Sequence, residues 1–411
     1  MKKLLLSILT ITSLTAFSQW QATSITSTGF DCISAFGNVY SSGVGSNNLD
    51  ISTNDGATWS TSNSGFPAGG LYFGTFYSNS LYACKSNSIS VRTSATGAWS
   101  AITNTFVSGT QNVKSMTALT GTVMAAVNNM ATGSSWKMYE YNGSTMVPRS
   151  GNIGGQASCI RNLNGTIFCG STNTFVLKST DNGVSFSNSS TGITGSAAFD
   201  RYINCLGATS TAIFCGTQGG RIYRSTNNGA NWSGVKNMGT GSTSFDISDI
   251  YVMTNNNILV ASDSGFIYSV DNGTTWTKDN SGLTTAEMNL NHITVSSGTT
   301  PYIIASNKSG RIYRRPLSQI FSGINEINLI AIESKVYPNP ANDFTTIEAS
   351  DLKFENKCEV KITDVLGREV SVKEMKEGKA IINLSNFSKG IYTYSVYNNK
   401  TVVSKGKLVV N

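Results

Sequence analysis

Histidine is almost absent from this sequence, because His292 is the single histidine in 411 residues. A Ser-His-Asp triad or a zinc site built on several histidines therefore has only one imidazole available. Glutamate is scarce too: between Gln19 and Ile320 only Glu140 and Glu287 occur. After residue 18 no segment approaches the roughly 20 apolar residues of a membrane-spanning helix. We therefore predict no transmembrane segment, no metal site and no cofactor, and we assign no catalytic residue.

A short motif recurs along the first three quarters of the chain, about every 40 to 47 residues. Its copies are STNDGATW from Ser52, TSATGAW ending at Trp99, STDNGVSF from Ser179, STNNGANW from Ser225 and SVDNGTTW from Ser269. Gly supplies the positive φ of tight hairpins, and Asn or Asp bonds its own backbone at such corners. The motif therefore predicts a hairpin whose Ser and Asp or Asn side chains satisfy turn amides. Its aromatic residue is expected to pack between neighbouring sheets.

Each copy belongs to a four-stranded unit, most clearly between Ile250 and Lys278, where four short strands alternate with turns. The aligned fourth-strand residues are Trp59, Trp99, Met146 in a decayed third copy, Phe186, Trp232 and Trp276. A seventh unit begins at Asn291 and stops after Arg315 without its fourth strand, whereas QWQATSIT from Gln19 resembles a fourth strand. The sequence predicts an all-β fold, a seven-bladed β-propeller closed by its N-terminal strand, with Trp20 completing the last blade.

The N-terminus has the pattern of a secretory signal peptide. Lys2 and Lys3 precede an apolar run, and small residues at Ala16 and Ser18 favour cleavage before Gln19. We therefore predict a signal peptide at residues 1–18 and export of the remaining chain.

Composition changes near Phe321. Residues 19–320 contain 16 Lys plus Arg and 12 Asp plus Glu, whereas the much shorter remainder contains 12 and 11. The higher charge density predicts a second domain, with the propeller at 19–318, a linker at 319–335 and the second domain at 336–411. Its alternating strands predict a small immunoglobulin-like β-sandwich.

In a propeller, rigid blades hold variable loops at one face of the central channel, and candidate functional residues are expected there. We select the loops that lead into the first strands and the starts of the third strands. The selected residues are Asp31, Asp200, Arg201, Tyr202, Arg221, Asp246, Asp249, His292 and Arg311. Their mixed charge and aromatic character suits a glycan or protein ligand. The alternative is a solvated ring of small polar residues at one aligned position, namely Asp31, Ser115, Ser158, Asn204, Asp249 and Thr294.

The charged residues bear on two further functions. A glycoside hydrolase needs two carboxylates across the scissile bond, which Asp31, Asp200, Asp246 and Asp249 could supply, so this remains the second hypothesis. The net charge of +7 is spread along the chain, and the arginines near residue 311 alternate along a strand. We therefore expect no nucleic-acid partner, and we expect a monomer.

The cysteines leave two alternatives open. Cys159 with Cys169, and Cys205 with Cys215, are ten residues apart on adjacent strands of neighbouring units. After export such pairs could form cross-strand disulfides. The aligned positions elsewhere are apolar, so buried packing explains these cysteines equally well.

The repeats resemble the Asp-box, or BNR-repeat, propellers, a group that includes sialidases, sortilin-type receptor ectodomains, some xyloglucan-cleaving enzymes and photosystem II assembly factors. The resemblance covers Gln19 to Leu317, and GRIYRSTNNGANW from Gly220 is especially typical. In these families the box is a folding element, so the resemblance implies the fold and leaves the function open.

The segment from Val336 to Asn411 resembles the type A C-terminal sorting domain of type IX secretion cargo in Bacteroidetes-like bacteria. The matching pieces are YPNPANDFTTI from Tyr337, VKITDVLGREV from Val360, INLSNFSKGIYTYSV from Ile382 and KGKLVV from Lys405. The sorting-signal residues carried by these pieces are Tyr337, Pro338, Asn339, Pro340, Gly367, Arg368, Gly390, Tyr392 and Lys407. The resemblance implies export through the periplasm by the type IX machinery, followed by attachment to surface lipopolysaccharide or release into the medium.

Overall fold

The computed structural model describes residues 19–411 apart from 27–29, 37, 44–48, 62–72, 78–79, 86, 94–96, 107–109, 120, 132, 134, 164, 195–199, 201, 239–244, 299, 322–333, 350–357, 365–367 and 399–400. For 30–36, 38–43, 49, 73–77, 85, 398 and 401–403 it describes the backbone alone. The described chain consists of strands joined by turns, with a 3-10 helix at Leu317–Gln319. The predicted all-β class is confirmed. Within the described ranges no helix is long and apolar enough to cross a membrane.

Seven antiparallel sheets form between residues 21 and 316, and in six of them consecutive strands pair in chain order. The N-terminal strand is β1 (Gln21–Thr26). Sheet 1 contains β2 (Phe30–Phe36), β3 (Asn38–Gly43), β4 (Leu49–Ser52) and β5 (Ser60–Thr61); sheet 2 contains β6 (Phe73–Tyr77), β7 (Ser80–Lys85), β8 (Ser88–Arg92) and β9 (Ser100–Ile102). Sheet 3 contains β10 (Gln111–Leu119), β11 (Thr122–Asn129), β12 (Ser135–Tyr141), β13 (Met146–Pro148) and the additional β14 (Ile153–Gly154).

The next four sheets follow the same order along the chain. Sheet 4 contains β15 (Ala157–Leu163), β16 (Thr166–Ser171), β17 (Val176–Ser179) and β18 (Ser187–Asn188); sheet 5 contains β19 (Ile203–Ala208), β20 (Ile213–Thr217), β21 (Arg221–Ser225) and β22 (Ser233–Asn237). Sheet 6 contains β23 (Ile247–Val252), β24 (Ile258–Ser262), β25 (Gly265–Ser269) and β26 (Thr277–Lys278); sheet 7 contains β27 (Leu290–Val295), β28 (Tyr302–Asn307), β29 (Arg311–Pro316) and β1.

The first strands of the sheets contact one another in a closed cycle. Strand β2 contacts β6, and contacts continue through β10, β15, β19, β23 and β27 back to β2. Sheet 7 is completed by β1, whose Gln21 and Ala22 pair with Arg314 and Tyr313 of β29. The predicted pairing of the N-terminal strand with the last repeat is confirmed.

Trp20 occupies the place that Trp232 holds in sheet 5. Its backbone N–H donates to the Ser281 carbonyl at 2.8 Å, and its indole Nε1 donates to the Asp279 carbonyl at 3.4 Å. Trp232 makes the same two bonds to the preceding sheet, at 2.8 Å to Thr191 and 2.6 Å to Ser189. The N-terminal segment therefore supplies both the missing strand and the tryptophan of its motif.

Side chains of the repeated motif hold its turn closed. The Ser269 hydroxyl accepts from the Gly273 N–H at 2.8 Å, and the Asp271 carboxylate accepts from the Thr275 N–H at 2.8 Å. Asn272 and Gly273 have positive φ angles of 58° and 78°. The same serine-to-glycine bond forms in the copies that begin at Ser52, Ser179 and Ser225. The predicted role of the Ser and Asp or Asn side chains is confirmed in these four copies.

The motif glycine also contacts the preceding sheet. A Cβ placed on Gly273 would lie 2.4 Å from the Phe214 ring on β20, and one on Gly229 would lie 2.7 Å from the Phe168 ring on β16. Both rings are fully buried. Glycine is therefore required twice at this position, for its backbone conformation and for the close approach of the neighbouring sheet.

The hydrophobic core lies between the sheets. One cluster joins sheets 4 and 5 around Phe168 and Trp232, another joins sheets 5 and 6 around Phe214, and a third joins sheets 6 and 7 around Trp20 and Phe266. Phe321 packs in this last cluster with its ring 5.7 Å from that of Tyr268. Sheets 5 and 6 are thus stabilised mainly by burying both of their faces against their two neighbours.

The cysteine geometry decides between the two alternatives. Cys159 lies opposite Gly170 and the next residue, Ile160, lies opposite Cys169, so the two cysteines are one position out of register. Adjacent residues of a strand point to opposite faces, so Cys159 packs between sheets 4 and 5 and Cys169 between sheets 3 and 4. Cys205 and Cys215 diverge in the same way. Cys159, Cys169, Cys205 and Cys215 are unpaired and buried, and burial raises the pKa of these four thiols. Packing explains them, and the pairings as disulfides are wrong.

The C-terminal unit has two antiparallel sheets. They are β30 (Lys335–Tyr337), β31 (Phe344–Glu348) and β34 (Lys379–Asn383) in the order β30-β31-β34, and β32 (Cys358–Thr363), β33 (Glu369–Glu374), β35 (Gly390–Asn398) and β36 (Thr401–Val410) in the order β33-β32-β35-β36. Ile347, Val360, Val396 and Leu408 belong to one buried cluster that both sheets share. This unit therefore has its own hydrophobic core.

Candidate functional site

The described candidate residues of sheets 5 to 7 gather at one end of these sheets. The Gln218 N–H donates to the Tyr202 carbonyl at 2.9 Å, and the Asp263 N–H donates to the Asp246 carbonyl at 3.0 Å. These bonds place the turn between the second and third strands beside the residue that precedes the first strand. We call this end of sheets 5, 6 and 7, where β19, β23 and β27 begin, the upper face.

Asp200 and Arg221 form an ion pair at the upper face of sheet 5. The Arg221 Nε lies 3.1 Å from Asp200 Oδ1, with the Asp200 side chain 5% exposed and the Arg221 side chain 35% exposed. A Cβ on Gly219 would lie 2.2 Å from the same Asp200 oxygen, so the glycine allows the turn to close over the carboxylate. Asp200 thereby holds a partly exposed guanidinium in one orientation.

A second ion-pair group joins sheets 6 and 7. The Lys308 Nζ lies 2.8 Å from Asp246 and 2.7 Å from Asp263. Burial opposes the charge of Lys308, but the two carboxylates outweigh it and raise the pKa of the ammonium. Sequence reasoning named Asp246 and missed Lys308 and Asp263, although both lie in turns between second and third strands. That turn position was the available signal, since these turns lead into the third strands, whose starts were expected at this face.

The proposed ring of small polar residues combines different structural positions. Asp31, Ser158 and Asn204 lie at the register shifts near the starts of β2, β15 and β19, whereas Ser115 and Asp249 follow the corresponding shifts in β10 and β23. The alignment at a single position is therefore wrong, because it takes the bulged residue in β2, β15 and β19 and the residue after the bulge in β10 and β23.

Three of these polar side chains join neighbouring sheets. Ser115 accepts from the Ile160 N–H at 3.1 Å, Ser158 donates to the Ile203 carbonyl, and Asp249 accepts from the Ile293 N–H at 3.1 Å. These contacts run from sheet 3 to 4, from 4 to 5 and from 6 to 7. Asp249 thus contributes to sheet packing, which its placement among ligand-binding residues did not anticipate.

The remaining candidates are spread along the same face. Tyr202 is half-buried before β19, and His292 is half-buried in β27 opposite Ser306. Arg311 is exposed at the start of β29, where its N–H donates to Asn307 Oδ1 at 2.9 Å. Arg201 and the Asp31 side chain lie outside the described residues. Within the described ranges, no group of three or more His, Cys, Asp or Glu side chains could hold a metal ion.

A cavity of about 360 Å³ adjoins Arg221 on the outer side of sheet 5. Its lining residues are Thr194, Arg221, Tyr223, Gly234, Val235, Lys236 and Asn237. The Tyr223 hydroxyl donates to the Thr194 carbonyl. Burial raises the pKa of Tyr223, and the Arg221 guanidinium opposes that shift. Sequence reasoning identified Arg221 and missed the cavity, because its wall depends on how β22 pairs with β21.

A second cavity of about 340 Å³ lies between sheets 3 and 4, at the end opposite the upper face. Glu140 and Arg149 form an ion pair of 2.9 Å in its wall, and Arg149 Nε donates to the Asn182 carbonyl at 3.3 Å. Lys178 and Arg314 contact the corresponding motif carbonyls of Asn228 and Asp55. This recurrence indicates that the basic residues join neighbouring sheets.

Several sorting-signal residues contact the last strand of the C-terminal unit. Asn339 Nδ2 donates to the Lys407 carbonyl at 2.8 Å, and Asn339 Oδ1 accepts from the Val409 N–H at 2.8 Å. Pro338 accepts from the Thr345 hydroxyl at 2.9 Å, and Tyr337 donates to Glu348. The segment after β30 is therefore attached to β36 by the Asn339 side chain.

Other sorting-signal residues lie elsewhere in the unit. Tyr392 on β35 donates to the Ser388 carbonyl at 2.8 Å, and the exposed Arg368 forms an ion pair of 2.7 Å with Asp364. Gly390 begins β35. Pro340 lies in the segment after β30, and Gly367 lies outside the described residues.

Comparison with solved structures gives the fold of the ring. The chain is 15% identical to PorZ of Porphyromonas gingivalis, a surface component of its type IX secretion system, with a TM-score of 0.51 over 93% of this chain and 59% of PorZ. It is 16% identical to the extracellular domain of BT4673 from B. thetaiotaomicron, with a TM-score of 0.56 over 88% of this chain and 48% of that one. The chain thus spans about half to three fifths of these two proteins.

A third solved structure, YCF48 bound to a D1 peptide, is 16% identical with a TM-score of 0.55 over 72% of this chain and 94% of YCF48. No curated protein is similar to this sequence. These structural likenesses establish a β-propeller-like fold and leave the function open.

A family profile, described as the secretion system C-terminal sorting domain, matches residues 335–411. The chain therefore combines a propeller-like ring with a type IX sorting domain. That domain marks the chain as cargo of the type IX secretion system, exported to the cell surface or the medium.

Proposed function

We propose that this chain is a seven-bladed Asp-box propeller that binds a glycan or a protein outside the cell. Seven sheets whose first strands contact in a cycle support seven blades, and the serine-closed motif loops support the Asp-box assignment. The two-sheet core of the C-terminal unit supports an immunoglobulin-like sandwich. The proposed organisation is a signal peptide at 1–18, the propeller at 19–318, a linker at 319–335 and a type A sorting domain at 336–411.

One observation carries the binding role: charged side chains of the upper face are held in place by one another. Arg221 is oriented by Asp200, and Lys308 is held between Asp246 and Asp263. Preorganised groups lose little freedom when a ligand binds. The ligand-binding face in this proposal consists of Asp31, Asp200, Arg201, Tyr202, Arg221, Asp246, Asp249, His292 and Arg311.

Hydrolysis requires one carboxylic acid and one free carboxylate across the substrate. Asp200 and Asp246 are instead engaged with cations, and Asp249 accepts a backbone N–H of the next sheet. A structural neighbour supports partner binding, since YCF48 was solved with a D1 peptide. We therefore favour binding over catalysis.

The sorting-signal residues give the proposal its second part. We infer that the segment from Tyr337 to Pro340, together with Gly367, Arg368, Gly390, Tyr392 and Lys407, is read by the type IX machinery. Attachment of the exported ring to surface lipopolysaccharide, or its release, follows that step in this proposal.

The binding role is tested with the chain lacking residues 1–18 on a panel of glycans and outer-surface proteins, with products analysed as well as retention. We expect retention without products. Arg311→Gln, at the exposed upper face, should weaken retention, whereas Lys178→Gln, at the opposite end of sheet 4, should not. Cleavage products that disappear in Asp200→Asn or Asp249→Asn would overturn the proposal in favour of a hydrolase.

A further inference from the structure

We propose that the cavity beside Arg221 binds a small, hydroxyl-rich carboxylate such as an acidic sugar unit. This inference rests on the proposed binding function and names a ligand class for it. The cavity volume of about 360 Å³ lies within the usual range of small-molecule sites, about 300 to 1,000 Å³. It is thus large enough to hold one sugar ring and a charged substituent.

The charges around the cavity select an anion. Arg221 and Lys236 both line it, and within the part of the chain that the structure describes Asp200 balances the charge of Arg221 alone. The Arg221 Nε lies 3.1 Å from Asp200 Oδ1, and the Arg221 side chain is 35% exposed towards the cavity that it lines. A guanidinium binds a carboxylate through two parallel hydrogen bonds. The lining therefore favours a ligand with a single negative charge.

The remaining lining groups suit hydroxyls. Thr194 and Asn237 contribute polar groups, and the pairing of β22 with β21 shifts register between Ile222 and Tyr223. Such a bulge leaves the backbone of its extra residue outside the ladder, where its polar groups can serve a ligand. These donors and acceptors match the hydroxyls of a sugar.

The same bulge argues against an extended peptide. Strand β22 is the outer edge of sheet 5, and an added peptide strand would need a regular edge to pair with. A bulge twists and interrupts such an edge. The cavity therefore favours a compact ligand over a peptide in β-conformation.

Gly234 offers a way to block the cavity without changing its charge. A Cβ on Gly234 would meet only Tyr223, at 3.7 Å, which is ordinary van der Waals contact. Gly234→Leu should therefore fill space in the cavity and leave the fold intact. Lys236→Gln removes the unbalanced charge, and Lys278→Gln, on the matching outer strand of sheet 6, is the control.

The test is calorimetric titration of the full chain lacking residues 1–18 with galacturonate, and with galactose as the neutral probe. We expect saturable binding of galacturonate, weaker binding of galactose, and a loss of affinity of about tenfold or more in Lys236→Gln and Gly234→Leu. Lys278→Gln should bind like the unaltered chain. Higher salt should weaken binding, because part of the cavity is open to solvent.

Equal affinity for the two sugars, or unchanged affinity in both cavity variants, would overturn the inference. If galacturonate fails to bind while the glycan or protein panel retains the chain, the inference fails and the proposed binding function stands. If neither probe nor panel binds, both fail.

Discussion

Replacing Gly273 with alanine tests whether the repeated motif joins one sheet to the next. The backbone of Gly273 has a φ of 78°, and the new Cβ would lie 2.4 Å and 2.8 Å from two ring carbons of the buried Phe214. The left-handed conformation costs an alanine about 1 to 2 kcal/mol. Overpacking of a filled interior costs about 1 to 3 kcal/mol more. We expect a total destabilisation of about 2 to 5 kcal/mol.

Gly143 provides the matched control for this substitution. It has a φ of 92°, and a Cβ there would meet nothing within 4 Å. Gly143→Ala should therefore show only the backbone cost, about 1 to 2 kcal/mol. The difference between the two variants isolates the contact between sheets 5 and 6.

Tryptophan fluorescence during thermal unfolding measures this difference. All six tryptophans lie between Trp20 and Trp276, so the signal reports the ring and not the sorting domain. At about 2 to 4 °C per kcal/mol, Gly273→Ala should lower the midpoint by about 4 to 20 °C and Gly143→Ala by about 2 to 8 °C. Equal midpoints for the two variants would refute the argument that the motif glycine contributes to packing between sheets.

Four further predictions follow from other contacts. Asp279→Asn should destabilise the ring by about 3 to 5 kcal/mol, because it removes the ion-pair partner of Arg315, which is almost fully buried. Asp364→Asn, which removes the partner of the exposed Arg368, should cost under about 1 kcal/mol. Urea unfolding measures both free energies. Burial of Asp271 is outweighed by bonds from Thr275, Ser269 and Thr274, which lower its pKa to about 2, so this carboxylate stabilises the fold above about pH 4 and loses that effect towards pH 2; Asp271→Asn should flatten the dependence of the urea midpoint in this window. Non-reducing mass spectrometry after alkylation in denaturant should find thiols at Cys159, Cys169, Cys205 and Cys215, and a mass deficit of a disulfide would contradict the packing. Deleting residues 335–411 should trap the protein in the periplasm, and unchanged surface display of the truncated protein would refute the sorting role. Asn339→Ala should reduce export, as measured by cell fractionation, whereas the control Ser385→Ala should not.

Local chemistry made the motif predictable from sequence. The Ser269 and Asp271 side chains accept hydrogen bonds from backbone N–H groups within the same turn, and Gly273 has a positive φ. Their roles therefore follow from residue type alone. The completing role of Trp20 was also predictable, because its strand resembles the other fourth strands. Both features depend on patterns that repeat along the chain.

Register and the approach of neighbouring sheets were not predictable from these patterns. The aligned positions of Ser115 and Asp249 fall one residue after the bulges of β10 and β23, and the pairing of β15 with β16 sets Cys159 and Cys169 on opposite faces. A one-residue shift reverses the direction of every later side chain in a strand. The Lys308 ion pairs and the Arg221 cavity arise between distant segments, so composition and spacing carry no signal for their geometry.

The pairing of β1 with β29 has a consequence for the order of folding. Gln21 pairs with Arg314, and nearly the whole sequence of the ring lies between these two residues. Sheets 1 to 6, in contrast, each assemble from one continuous stretch of the chain. Contacts between distant residues form slowly because the intervening chain loses much entropy. Until that final step, β29 presents an unpaired edge that can recruit other chains. The pairing of β1 with β29 beside Trp20 is thus the step at which the chain either completes its fold or aggregates through the unpaired edge of β29.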